Sequence, residues 1–126
     1  MQQRPTSGEL LAAVAEVLER DIVPALSGPA QHQARVAASL VAIVEREIRL
    51  GAGAAEREVD ALRSLVPDRS DELLDLATLR AVVAGRLRAG SADDESAHAA
   101  TWSTLMAIVK DDLQIAKPGH DSWDGE

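Results

Sequence analysis

Three histidines, His32, His98 and His120, are the only imidazoles in the chain, and there is no cysteine. Acid–base, nucleophilic and metal chemistry therefore has few places to sit. The sharpest arrangement is Glu95-Ser96-Ala97-His98. A Glu-x-x-His pair puts both side chains on one helical face, the spacing used in di-iron bundles. Those sites need a second Glu-x-x-His and two more inward carboxylates, and the chain has no second copy. A homodimer would bring two copies together. The plainer reading is a solvated helix end, with Glu95 in the first turn complementing the helix dipole.

The remaining candidates are serines, glycines and arginines. Ser70 and Ser91 read as helix caps, and Ser39 has no histidine one turn away. No Gly-x-Ser-x-Gly elbow occurs. Gly51-Ala52-Gly53 is too short for a phosphate loop and lacks its Gly-Lys-Ser/Thr ending, so it reads as a helix stop. Arg80, Arg86 and Arg88 could bind the phosphate of a nucleotide or coenzyme, or simply complement a helix C-terminus. Arg35, at the start of an apolar stripe, could be half-buried against a carboxylate of another helix. Trp102 lies one turn from His98 and reads as a helix–helix or subunit anchor rather than a cofactor stacker.

Composition narrows the function classes. The chain has 126 residues, 23 of them Ala, only two aromatics (Trp102 and Trp123), and a formal charge of −8. One domain is expected at this length. A net acidic chain lacks the basic face that nucleic-acid binding needs. The start lacks a signal-peptide layout, and the longest apolar-rich run, about Val36 to Val44, is far short of the ~20 residues that span a bilayer. A cytoplasmic protein without membrane or nucleic-acid partners is expected.

The elements that must position these residues are helices. Thr6 and Glu9 form a capping-box signature before Leu10, Val14, Val17 and Leu18. Pro24 should end or kink that first helix near Ile22 or Val23. A second helix begins at Pro29, with Val36, Leu40, Ile43, Val44 and Ile48 as its stripe, and stops at Gly51 and Gly53. A shorter third helix covers 54–65, with Val59, Leu62 and Leu65 or Val66 inward, and ends at Pro67. A fourth is capped by Ser70, with Asp71 and Glu72 in its first turn, and runs to about Ala89; Leu73, Leu76, Leu79, Val83 and Leu87 face inward. Ser91 and Asp94 cap a fifth, from Ala92 to about Ile115, with Trp102, Leu105, Val109 and Leu113 on one side. The expectation is an all-α bundle of four to five helices with short loops over 1–118, followed by a polar tail over 119–126. Wide apolar stripes on thin, Ala-rich helices make a homodimer the expected assembly.

Two stretches carry a resemblance. One is Arg4-Pro5-Thr6, Glu9-Leu10-Leu11-Ala12-Ala13-Val14 and Val23-Pro24-Ala25-Leu26. The other is Ala34-Arg35-Val36-Ala37-Ala38 followed by Ala42-Ile43-Val44-Glu45-Arg46-Glu47. Together they resemble a bacterial family of short all-helical proteins, a domain of unknown function. Its members are often encoded beside aminoglycoside-phosphotransferase-like kinases and acyl-CoA dehydrogenases. This chain has Gln33 where such proteins often show His, Ser39 where they often show Asn, and Asp112 where a basic residue is frequent.

The reading that follows is a non-catalytic accessory or interaction protein with no cofactor. The resemblance implies a phosphotransferase-like kinase or an acyl-CoA dehydrogenase as its partner. One alternative is a bundle that binds an acyl or acyl-CoA-like molecule through Arg35, Arg80, Arg86 and Arg88. Another is a small enzyme using Glu95, His98 or Arg35, or a metal-binding bundle built on Glu95 and His98.

Overall fold

Thr6 opens the first helix as its sequence requires. Its hydroxyl accepts from the Glu9 N–H while the Glu9 carboxylate accepts from the Thr6 N–H, closing both bonds of a capping box. The computed structural model describes residues 3–69 and 71–119. Four α-helices follow in order: α1 (Ser7–Val17), α2 (Gly28–Ser64), α3 (Leu76–Arg88) and α4 (Glu95–Ala116). Among the described residues there is no strand, so the protein is all-α. None of these helices is long and apolar enough to cross a membrane.

Pro24 acts as expected, but by slipping the register. Pro24 has no N–H to donate to a carbonyl one turn back. Leu18–Ile22 form a π turn in which the Val23 N–H donates to the Leu18 carbonyl, and Val23–Ala25 tighten into a 3-10 turn. Gly28, at φ 63°, then lets the chain enter α2, with Pro29 in the first turn.

The second and third expected helices are one. α2 runs for 37 residues through Gly51 and Gly53. A glycine stops a helix by adopting the left-handed region. Among the described residues Gly90 and Gly119 do so after helices, while Gly28 does so at the start of one; Gly51 and Gly53 do not. Ala54, Ala55, Glu56 and Arg57 are strong helix formers, and no proline intervenes before Pro67. A Cβ on Gly53 would meet the terminal Nη1 of Arg57 at 3.3 Å, the movable end of a side chain. Gly53→Ala should therefore stabilise the protein by about 0.5–1 kcal/mol in urea unfolding. A destabilised variant would mean that α2 breaks at this point.

The cap of α3 is also displaced. Asp75, not Ser70, is its N-cap, and the Asp75 carboxylate accepts from the Thr78 N–H at 2.7 Å. Ser70 itself lies outside the described residues. Asp71 and Glu72 precede the helix, where Glu72 takes a two-pronged bond from Arg69. Leu73, expected inward, is 97% exposed because it sits in the extended approach to Asp75. At the start of α4, Asp94 makes the capping bond, to the Ala97 N–H.

The chain divides into two units. One holds Met1–Ala52 with Ile115–Lys117, the other Gly53–Gln114 with Pro118–Glu126. In the second unit, Leu62 and Val66 of and just after α2 bury against Leu79 and Val83 of α3, flanked by Val59, Leu76, Leu87, Leu105 and Ile108. The first unit is a helical hairpin. Gln31 Nε2 donates to the Val23 carbonyl at one end, and Gly8 lies beside Ile48 at the other, so α1 runs antiparallel to the first half of α2. Small residues sit at the seam: Ala34 and Ala38 are buried, while Leu11, Ala15 and Leu18 are half-buried. The stripes expected to be core, Leu10, Val14 and Val17 of α1 and Val36, Leu40, Val44 and Ile48 of α2, are instead exposed. The alanine seam brings the two backbones together without using them. Residues 120–126, which hold His120, Trp123 and nearly all of the expected tail, lie outside the described residues.

Candidate functional site

Two of the four arginines singled out for anion binding are already engaged. Arg80 of α3 forms a forked bond to Glu58 of α2 at 2.6 and 2.8 Å. Arg86 does the same to Asp68 at 2.6 and 2.7 Å. A guanidinium and a carboxylate matched in this two-pronged way satisfy each other's geometry. Glu58 is the most enclosed partner, with its side chain 11% exposed. Arg57 adds a third link, to Asp111 of α4 at 2.8 Å. Each pairing stitches two segments of the second unit together, and the arginine forks point at carboxylates rather than into an open anion site. Arg88 is exposed at the end of α3.

Arg35 stands apart. It is exposed and makes no ion pair among the described residues, so the expected half-buried pairing is not formed. Arg46, about three turns further along the same helix, takes the structural role instead. Arg46 Nε donates to the Ile115 carbonyl at 2.7 Å, satisfying one of the unpaired carbonyls at the end of α4. Charge at the end of a helix is the physical logic that sequence reading applied to α3. The bond between residues 69 apart in sequence left no local signal.

Glu95 and His98 share the exposed first turn of α4. No group of three or more His, Asp or Glu able to hold a metal occurs among the described residues. The His98 ring instead stacks on Trp102, with centroids 6.4 Å apart and planes 14° from parallel. Trp102 is 53% exposed. It edges a groove of about 160 Å³ with Leu87, Ala92, Thr101 and Leu105, but the core of its unit is built without it. A second groove of about 220 Å³, lined by Leu65, Val83, Arg86, Leu87 and Thr101, lies nearby. Both fall below the ~300–1,000 Å³ of sites that enclose a small molecule. A larger concavity of about 520 Å³ lies between the start of α1 and Glu45, Ile48 and Arg49, and it opens widely to solvent.

The carboxylates have lowered proton affinities with identifiable causes. Hydrogen bonds from Arg86 hold the Asp68 carboxyl below its ordinary range, those from Arg69 do the same for Glu72, and the Thr78 N–H does so for Asp75. A carboxylate whose folded-state value is lowered contributes stability above its unfolded value and loses it as pH falls through the folded one. The unfolding midpoint should therefore stay level from pH 7 to about 5 and drop below about 4. A midpoint that rises on acidification would contradict these pairings. Because the pairs are largely exposed, 1 M salt should blunt the effect.

In the second unit the residues assemble a scaffold of ion pairs and caps around an aliphatic core. The first unit, described by itself, is a hairpin with an exposed aliphatic stripe. The family model described as Domain of unknown function (DUF6285) matches residues 24–120. That range holds Arg35, Arg80, Arg86, Arg88, Glu95, His98 and Trp102, and it leaves Arg4 to Val14 outside. Neither a curated protein nor a solved structure matches the chain. With most of its length covered by that model, the chain belongs to the family of the domain of unknown function DUF6285.

Proposed function

We propose that the protein is a non-catalytic interaction protein, one that works by covering or joining other protein surfaces. The observation that carries this reading is the set of large aliphatic side chains left in water on α1 and the first half of α2, with Leu40 the most open at 57%. Scattered exposed aliphatics need no explanation, but a run repeating at helical spacing on adjacent helices marks an association surface. Two of the four arginines considered for an anionic ligand, Arg80 and Arg86, are bound to carboxylates, which supports the same reading.

The partner class comes from the resemblance: a phosphotransferase-like kinase or an acyl-CoA dehydrogenase encoded beside such proteins. The test is to purify the chain together with each neighbouring enzyme and measure binding by calorimetry. A complex with micromolar or tighter affinity supports the reading, as does a change in the enzyme's rate on adding the chain. No heat of binding and no rate change with either enzyme at ~100 μM, well above a micromolar Kd, would overturn it.

A further inference from the structure

The hairpin of the first unit has two sides, and the structure treats them differently. Its contact seam is formed by Leu11, Ala15 and Leu18 against Ala34, Ala38 and Ala42. In an antiparallel pair of right-handed helices meeting on that seam, residues 10, 14 and 17 turn to the same side as residues 37, 40, 44 and 48. Side chains of α1 and α2 therefore merge into one strip: Leu10, Val14 and Val17 beside Leu40, Val44 and Ile48, with Val36 at its end. The Gly8–Ile48 approach ties the two helices together at one end of the strip. On the other side of α2, Arg46 holds the Ile115 carbonyl, so the end of α4 occupies that side and leaves the strip open.

We infer that this strip is the interface with a second copy of the same chain, the two hairpins packing face to face into four helices. The inference rests on the reading that the protein works by association, and it names the first partner. Three observations select a second copy.

The first is size. The seven side chains are each 44–57% exposed, and an aliphatic strip of seven such residues on two helices is of the order of the ~800 Å² per partner of a standard interface. The second is need. Among the described residues of its unit, only Val23, Ala34, Ala38 and Ile115 are buried. A unit that buries two alanines and two branched residues has too little core of its own, and its cover must be present whenever the chain is. A second copy meets that condition; a separately regulated partner does not.

The third is chemistry. Apart from Glu47 at its edge and Gln33, the strip is aliphatic, with no Trp, Tyr, Arg or Met, and interfaces between copies of one chain are the more apolar kind. Val36, Leu40, Val44 and Ile48 form an i, i+4, i+8, i+12 ridge, and such ridges pack into the matching grooves of an identical helix across a two-fold axis.

The chain has no cysteine, so single cysteines report the interface cleanly. Val14→Cys, Leu40→Cys and Val44→Cys are made one at a time, with Ser39→Cys on the opposite side of α2 as a control. After mild oxidation, at least one strip variant should run as a disulfide-linked pair in most of the material, while Ser39→Cys stays single. Circular dichroism of each reduced variant confirms that helix content is retained, so a misfolded variant cannot stand for a negative result. Pairs formed by Ser39→Cys and not by the strip variants would overturn the inference, and so would a native mass of one chain for the unmodified protein. A single-chain protein that still binds a neighbouring kinase or dehydrogenase would overturn this inference alone. A strip-linked dimer that binds neither would leave it standing and overturn the accessory reading.

Discussion

Leu79→Ala is expected to lower the unfolding free energy by about 2–5 kcal/mol, enough to remove a large part of the stability of a domain this small. Leu79 is 0% exposed and lies at the centre of the only cluster of buried large side chains among the described residues, against Leu62, Val66 and Val83. No aromatic ring is part of that cluster or packed against it, and its aliphatic neighbours fill poorly the space a missing isobutyl group leaves. The cavity term therefore adds to the lost transfer energy rather than being absorbed. Leu73→Ala is the matched control: the same deletion at a 97% exposed position should change stability by less than ~0.5 kcal/mol. Equal effects of the two substitutions in urea titrations would mean that the Leu62–Val66–Leu79–Val83 cluster is not the core.

Ala52→Pro is the second large effect. Ala52 is exposed and is not part of the buried cluster, so packing contributes little at this position. Proline there removes the N–H bonded one turn back and drives its ring against that carbonyl, at a cost of about 3 kcal/mol or more inside a helix. Between two glycines that stopped a helix, the same change would be nearly neutral. The sign and size therefore separate one 37-residue helix from two shorter ones. Far-ultraviolet circular dichroism should show helix loss along with the fall in midpoint. A variant as stable as the parent would mean that α2 is not continuous at residue 52.

The elements were legible where a local rule had no competitor. Thr6 with Glu9 fixed the start of α1, Pro24 marked the end of the helical run that continues α1 through the π turn to Ile22, and Gly90 in the left-handed region at φ 92° closed α3. The fusion of the second and third helices was missed because Gly51 and Gly53 resemble a stop, yet a glycine breaks a helix only when its neighbours also favour leaving it. Asp75 was readable as a cap, an acid immediately before Leu76, but Ser70-Asp71-Glu72 offered a stronger-looking pattern five residues earlier.

The site was less legible. Arg80 and Arg86 carried a visible anion-binding signal, but their partners Glu58 and Asp68 lie 22 and 18 residues away. Pairing across that distance depends on tertiary geometry that no spacing encodes. The same limit explains the α1 and α2 stripes. Periodicity identified Leu10, Val14, Leu40 and Val44 as one face of each helix, but it cannot say whether that face meets the chain's own core or another molecule. Ala34 and Ala38, too small to stand out in a hydrophobicity pattern, took the seam.

The measurement that bears most directly on the central claim is the mass of the native protein in solution. Sedimentation equilibrium at ~0.15 M salt screens the repulsion between two chains of net charge −8. A second copy on the α1–α2 strip predicts a particle of twice 13.4 kDa at micromolar concentration, reduced to one chain by the strip substitution Leu40→Glu and unchanged by Ser39→Glu. A single 13.4 kDa species persisting at ~100 μM, where even a weak micromolar dimer would form, would contradict it.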